Sequence, residues 1–329
     1  MIETQLELVP LTATFGVEVR GAQLDSSAPA STFEALKQIL AEHSVVLMRD
    51  LHWTEEEHIL VNRRFGPSAP VHEHVWAPPV DLNAKPGSFI RWGERYGRLP
   101  LINKGEVIYF PNGPELCDKD TDTYALWDQE DRHDKGLGSS SWHTGDTEKY
   151  DYEVLSILYA EVAATSGGTT SWCDTAAVYE SFDEATRTRL DTLRAIHYFT
   201  YREGTPPVSQ PLVKTHAITG RKSLFLNFFT MERIEGMTRP ESYAMLKMLF
   251  ERACRPEFVY THKWRDGDAI LWNNNTTMHK KGALVSGVRR IMRRTQFLDP
   301  AFQSKLPWEK TRPVEGHDGG NWFPYPFTE

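Results

Sequence analysis

Beyond Trp142 the chain carries four short apolar runs, at residues 154–159, 224–226, 258–260 and 269–272, each set between turn-forming residues. Short runs rich in β-branched and aromatic side chains read as strands packed on a core. Two helical stretches interrupt them, one near 184–195 and one near 240–253, the second with Thr238 as N-cap and Pro240 in its first turn. No segment repeats at a solenoid period. The order predicts a β-sandwich or barrel decorated by helices.

The first third of the chain is mixed. Phe33, Leu36, Ile39 and Leu40 follow helical spacing, and Val45-Val46-Leu47-Met48 is a buried strand that stops at Arg49-Asp50. Thr54, with Glu57 three residues later, forms a capping-box pattern ahead of Ile59, Leu60 and Phe65, and Gly66-Pro67 ends that helix. From about residue 76 to 141, Pro- and Gly-containing turns punctuate aromatic and charged residues, which predicts long loops. Such a stretch is either a substrate-covering segment or a peripheral excursion. Residues 1–329 are expected to form a single domain.

Charge limits the partners. Lys and Arg number 37 against 45 Asp and Glu, a net charge of −8. An acidic chain lacks the basic footprint of a nucleic-acid polymer binder, while a local cationic pocket for a small anion stays open. The three cysteines are widely spaced with no Cys-x-x-Cys pair, a pattern that suggests neither a disulfide framework nor a structural zinc site and suits a reducing compartment. No run reaches the roughly 18 apolar residues of a membrane span, and the first residues are acidic, so a cytoplasmic protein with no membrane partner is expected.

Among 12 histidines, two stand in contexts that a metal favours. Trp142-His143-Thr144-Gly145-Asp146 precedes the β-rich block, and Asn273-Asn274-Asn275-Thr276-Thr277-Met278-His279 follows a strand far downstream. A lone histidine is more often a hydrogen-bonded structural residue. Two imidazoles distant in sequence and joined across a sheet are how non-haem iron enzymes build a site with open positions.

In order and spacing, Phe15-Gly16-Val17-Glu18-Val19, Gly21-Ala22-Gln23-Leu24, Val45-Val46-Leu47-Met48-Arg49-Asp50 and Arg64-Phe65-Gly66 resemble the N-terminal landmarks of the taurine/2-oxoglutarate dioxygenase (TauD/TfdA) family. Trp142-His143-Thr144, Ser166-Gly167-Gly168-Thr169-Thr170, Leu271-Trp272-Asn273-Asn274 with Thr277 and His279, and Arg289-Arg290-Ile291-Met292-Arg293-Arg294 resemble its catalytic landmarks. The resemblance spans most of the chain. It implies a β-rich α+β fold, a double-stranded β-helix (jelly roll) decorated by helices, and an oxidoreductase that uses iron(II), 2-oxoglutarate and O2. It further implies His143 and His279 as iron ligands, Arg290 as the grip on the distal carboxylate of 2-oxoglutarate, Thr170 as the hydroxyl that assists it, and Arg294 as a second arginine for an anionic substrate. A planar guanidinium suits a carboxylate, which it binds through two parallel hydrogen bonds. Arg289, Arg293, Lys280 and Lys281 read as a solvated edge.

One position departs from the family pattern. Ordinary members carry an Asp or Glu two places after the first histidine, and here that place is Gly145. The interval from His143 to Gly167 equals the family spacing, so no insertion has displaced the acid. Residues 143 and 145 share one face of a strand, whereas Asp146 points to the other. The segment resembles the iron/2-oxoglutarate halogenases, in which chloride takes the position and the charge of the missing carboxylate. That resemblance implies chlorination of an unactivated C–H bond by hydrogen abstraction and chloride rebound. The alternatives are a hydroxylase in which a β-bulge at Gly145 delivers Asp146 as third ligand, and a non-catalytic binding protein that kept the fold.

The substrate is only hinted at. Trp92, Arg95, Tyr96, Tyr109, Phe110, Tyr124 and Trp127 offer ring surface, and Arg202, Lys214, Arg221 and Arg294 offer cations. A freestanding anionic small molecule with a planar part meets both, a purine nucleotide chlorinated on its sugar among them; a free amino acid or a fused-ring alkaloid is the alternative. His72 and His74 read as a loop or substrate-channel feature rather than a second metal site. The apolar tail Trp322-Phe323-Pro324-Tyr325-Pro326-Phe327 is expected to pack on its own domain or on a partner subunit in a homo-oligomer.

Overall fold

A computed structural model of the chain describes residues 6–21, 24–69, 102–104, 107–112, 142–145, 154–198, 207–228, 230–285 and 288–314; for 102–104 and 107–112 it describes backbone alone. The N-terminal part runs β1 (Glu7–Pro10), β2 (Val17–Arg20), α1 (Ala30–His43), β3 (Val45–Met48), α2 (Glu55–Phe65), β4 (Ile102–Lys104) and β5 (Val107–Asn112). It continues through β6 (Val154–Val162), β7 (Thr170–Asp174), α3 (Thr175–Glu180), α4 (Glu184–Leu190), β8 (Arg194–His197), β9 (Val208–Pro211), β10 (Val213–Thr215) and β11 (Lys222–Leu224). The last part is β12 (Met231–Ile234), α5 (Arg239–Ala253), β13 (Val259–His262), β14 (Ala269–Asn273), β15 (Thr277–Lys281), β16 (Arg290–Leu298) and β17 (Arg312–Pro313).

Eight strands form a large sheet in the order β1-β2-β3-β14-β6-β16-β5-β4, and β13-β7-β15 form a second sheet. Burial on both faces explains the apolar runs. One set of alternate residues in β3, β6 and β14, namely Val46, Met48, Leu155, Ile157, Tyr159, Ala269 and Leu271, packs under α1 and α2 against Phe33, Leu36, Leu40, Val61 and Phe65. The other set, with Val45, Leu47, Ala160, Ile270 and Trp272, faces inward and meets Trp172 of β7. A strand covered on both faces has no solvent side to keep polar, so its sequence is a run rather than an alternation. The two sheets touch through rings, Trp172 standing edge-on to Trp272 with 5.8 Å between centroids.

Helix ends follow their capping residues. The Thr54 hydroxyl accepts from the Glu57 N–H at 3.1 Å, but the Glu57 carboxylate turns to Ser26 instead of closing the box. Gly66 lies where a Cβ would collide with the Leu298 carbonyl, so glycine lets the end of α2 approach β16. At α5 the Thr238 N–H donates to Glu241 at 2.8 Å.

Two expectations are corrected. The helix foreseen near 184–195 ends at Leu190, because residues 194–197 pair between β12 and β9. Arg194, buried in that strand, donates to the Ser209 hydroxyl and carbonyl and to the Trp308 and Lys310 carbonyls, a set of partners that no local pattern announces. Within the stretch foreseen as loops, β4 and β5 extend the large sheet beside β16; the remainder of 76–141 lies outside the described residues, as do Cys117 and the apolar tail. Cys173 and Cys254 are free thiols. No helix among the described residues is long and apolar enough to cross a membrane.

Candidate active site

The second sheet positions two histidines. Beyond β15 the chain at His143 forms a single antiparallel bridge with His279. Each N–H donates to the other's carbonyl, at 3.0 and 2.7 Å. Directly opposed residues project from the same face, and the two rings stand 4.3 Å apart between centroids. That is close enough for a nitrogen of each to reach one cation at roughly 2 Å. His279 is buried, stands edge-on to Trp272 with 5.1 Å between centroids, and leaves its Nδ1 without a hydrogen-bond partner. Burial first, then the neighbouring His143 and Arg294, hold its pKa well below the usual imidazole range. The ring is therefore neutral, the form that ligates metals. These two residues fit a non-haem iron, and no third His, Cys, Asp or Glu among the described residues completes a cluster with them.

Residue 145 is held beside this pair. The Thr144 hydroxyl donates to the Asn274 carbonyl, the Asn227 amide donates to the Thr144 carbonyl at 2.8 Å, and the Gly145 N–H reaches Asn274 Oδ1 at 3.4 Å. The Asn274 carboxamide is committed to the framework: it accepts from Trp272 Nε1 at 2.8 Å and donates to the Val154 carbonyl at 2.7 Å and the Ser156 hydroxyl at 3.0 Å. A Cβ on Gly145 would meet that carboxamide at 3.4 Å, an ordinary contact, and Gly145 is not among the glycines of positive φ. Among the described residues, neither backbone conformation nor a clash at Cβ requires glycine there. Asp146 lies outside the described residues.

Thr170 and Arg290 converge on the same inner surface. Thr170 opens β7 opposite His262 and Lys281, and Trp172, two residues on, stands opposite His279. Thr170 and His279 therefore share one face of the small sheet. On β16, Arg290 and Arg294 alternate with Met292, which packs inward with Trp172 and Trp272. Arg290 is 4% exposed, its Nε has no hydrogen-bond partner, and no carboxylate among the described residues pairs with it. Burial alone draws its pKa down to about 10, so the guanidinium is still charged at neutral pH.

Gly168, at φ +63°, makes room for it: a Cβ would meet Arg290 Cδ at 3.0 Å and Nε at 3.1 Å. Gly168→Ala is expected to cost about 1–2 kcal/mol from the left-handed backbone and to weaken 2-oxoglutarate binding by displacing Arg290. Thermal unfolding and a cosubstrate titration check the two parts separately.

Other expected residues fall in varied places. The charge of Arg294 reaches His279, which puts it toward the histidines. Arg293 does not belong to a solvated edge: it is 2% exposed, donates to the Trp53 carbonyl, pairs with Glu161 at 3.1 Å and lies over the Tyr159 ring. Its position one residue off the Arg290–Arg294 face sends it under the helices instead. Arg289 is exposed, and Lys280 lies over the Trp142 ring at 5.1 Å. Arg221 pairs with Glu180 at 2.7 and 2.8 Å and stands 3.6 Å from Asp174. Lys214 is buried with its Nζ 3.8 Å over the Phe225 ring. Arg202, Trp92, His72 and His74 lie outside the described residues, as do the side chains of the 76–141 aromatics.

Three residues gain a part that the sequence did not assign. Gly168 and Asn274 stand inside quoted motifs, so their motifs were the available signal. Trp264, whose indole donates to the Thr170 hydroxyl at 3.0 Å, had no local signal, since only sheet register brings it there.

The family model described as taurine catabolism dioxygenase TauD, TfdA family, matches residues 7–296. The chain is 26% identical over 306 residues to the alpha-ketoglutarate-dependent 2,4-dichlorophenoxyacetate dioxygenase of Cupriavidus pinatubonensis, covering 89% of this chain and 97% of that one. It is 27% identical over 321 residues to the (S)-phenoxypropionate/alpha-ketoglutarate-dioxygenase of Sphingobium herbicidovorans, covering 91% and 98%. Among solved structures, a taurine dioxygenase from Burkholderia xenovorans matches with a TM-score of 0.69 at 25% identity, covering 94% of this chain and 97% of that one. The jelly-roll core foreseen from the sequence is the core these enzymes share. By the family match across most of its length, by these relatives and by its fold, the chain belongs to the taurine catabolism dioxygenase (TauD/TfdA) family of iron(II)- and 2-oxoglutarate-dependent oxygenases.

Proposed function

We propose that this oxygenase hydroxylates a C–H bond of a freestanding anionic small molecule, with His143, His279 and Asp146 as the protein's iron ligands. The observation that carries the cosubstrate assignment is Arg290, a buried guanidinium with no counter-charge among the described residues. Leaving such a charge unpaired costs several kcal/mol, and a carboxylate arriving with 2-oxoglutarate relieves that cost. Iron(II), 2-oxoglutarate and O2 together supply, when bound, an oxidant able to take hydrogen from an unactivated C–H bond. The chain's own residues bind and orient: Arg290 and Thr170 hold the distal carboxylate, neutral His279 offers a lone pair, and Trp172 and Trp272 keep water from the inner wall.

The names of the two relatives describe aryloxy carboxylates as substrates. They support hydroxylation, and they support an anion with a planar part, toward which Arg294 supplies a cation on the histidine side. A nucleotide fits the same description, and competition with an aryloxy acid separates the two.

Gly145 favours a second reading, halogenation. Since neither backbone conformation nor a clash at Cβ calls for glycine there among the described residues, its presence beside the histidines suits a site where chloride takes the place and the charge of a carboxylate. One experiment separates the readings: anaerobic titration of the iron(II)-loaded enzyme with 2-oxoglutarate, following the charge-transfer band with and without chloride, in the parent and in Asp146→Ala. The hydroxylase reading expects a band indifferent to chloride and at least tenfold weaker iron binding by Asp146→Ala. Chloride that shifts the band and tightens 2-oxoglutarate, with Asp146→Ala unaffected, makes the enzyme a halogenase. Absence of any band points to a non-catalytic binding protein.

A further inference from the structure

We propose that Trp264 is a positioning residue for the cosubstrate: its indole N–H fixes the Thr170 hydroxyl so that the hydroxyl proton is left to donate to the carboxylate held by Arg290. This rests on the assignment of Thr170 and Arg290 made above. An indole nitrogen can only donate, whereas a threonine hydroxyl carries one proton and two lone pairs. Trp264 Nε1 donates to Thr170 Oγ1 at 3.0 Å, which occupies a lone pair and leaves the proton for another acceptor. Both side chains are buried, at 8% and 4% exposure, so bulk water does not compete for either group. A threonine whose hydroxyl is held from one side cannot swing its oxygen into another rotamer without leaving a buried indole N–H unsatisfied.

The indole is itself braced. His262, the register partner of Thr170, stands edge-on to Trp264 with 4.7 Å between centroids and 88° between planes. Both nitrogens of His262 are engaged, Nε2 with Asp268 at 2.9 Å and Nδ1 with the Tyr260 hydroxyl at 2.8 Å. Asp268 in turn accepts two bonds from Arg49, each 3.0 Å. Polar contacts therefore run from the end of β3 to His262, whose ring packs edge-on against the indole that orients Thr170. Aromatic packing alone would not aim the one polar atom of that ring at the one hydroxyl assigned to the clamp.

The test is a double-mutant cycle on the iron(II)-loaded enzyme under anaerobic conditions, measuring Kd for 2-oxoglutarate from the charge-transfer band, with iron(II) affinity and Tm alongside. Thr170→Val is expected to weaken 2-oxoglutarate by about tenfold, the worth of one hydrogen bond to a charged group. Trp264→Phe is expected to weaken it by about three- to tenfold with iron(II) affinity unchanged. The double variant should bind no more weakly than Thr170→Val alone, because Trp264 acts through the hydroxyl. In a Thr170→Ser background, which keeps the hydroxyl, the sensitivity to Trp264→Phe should return.

Additive effects, or a Trp264→Phe enzyme that binds 2-oxoglutarate like the parent, overturn the inference while leaving Thr170 in the clamp. A Thr170→Val enzyme with parental affinity overturns the clamp assignment and this inference together. Should Trp264→Phe fail to fold, β-(3-benzothienyl)alanine at 264 keeps the ring shape without the N–H and gives the same comparison.

Discussion

Arg290→Met is expected to weaken 2-oxoglutarate binding by about a hundredfold or more, while the cosubstrate-free enzyme stays as stable as its parent or becomes more so. The first effect follows from the two parallel charge-assisted bonds that a guanidinium makes to a carboxylate. Together they contribute about 3 kcal/mol or more, and 2.8 kcal/mol is about a hundredfold in affinity. The second follows from the surroundings of Arg290, which is buried, has an unsatisfied Nε, and has no carboxylate beside it among the described residues. A buried charge without a counter-charge carries a desolvation penalty of several kcal/mol, and an apolar chain of similar length removes it. Charge-transfer titration reads the first effect and thermal unfolding without cosubstrate the second. A variant that loses stability and keeps its cosubstrate affinity would show that Arg290 belongs to the framework rather than to the clamp.

Stability is expected to fall steeply in mild acid. Burial pushes the pKa of His197 down to about 3, with the Lys214 charge adding to the effect, and burial pushes that of His216 down to about 4. Unfolded, both return to about 6.5. Between those values the unfolded chain holds two protons that the folded one refuses, so stability is full above about pH 6.5 and is lost as pH falls toward 4 and 3. Two histidines together remove roughly 3–4 kcal/mol between pH 6 and pH 4.5, at about 1.4 kcal/mol per proton per pH unit. His58, buried and held well below its usual value by burial and then by Arg293, adds to the same slope. Denaturant unfolding across this range measures it.

His216 offers a control. Its Nδ1 accepts from the Ile218 and Thr219 N–H groups at 3.3 and 3.2 Å, and Asn can present a carboxamide oxygen to the same donors without titrating. His216→Asn should flatten the slope by about one proton, and an unchanged slope would remove this histidine from the account.

Much of the fold is legible in the sequence. The runs at 45–48, 154–159 and 269–272 became β3, β6 and β14, because a strand covered on both faces writes its burial into consecutive residues. The caps at Thr54 and Thr238 were legible for a related reason, since a cap is satisfied by groups three residues away. Strands such as β8, β9 and β12 were not legible. They are short and partly polar, and Arg194 is tolerated in β8 by Ser209 of the neighbouring strand together with carbonyls from residues 308 and 310.

The candidate site divides along the same line. The types and order of His143, Gly145, Thr170, His279 and Arg290 are properties of the sequence, and they carry its resemblance to the family that the match over residues 7–296 shows. Tertiary structure alone decided which groups meet. Sheet register set His143 opposite His279, a left-handed Gly168 opened space for Arg290, and a one-residue step along β16 sent Arg293 under the helices while Arg294 stayed on the histidine side. It also carried Trp264 to Thr170 from far along the chain. Local sequence fixes hydrogen-bonding capacity and periodicity, which depend on the residue itself. Partnership depends on which strands pair and in what register, and that is settled by the packing of the whole chain.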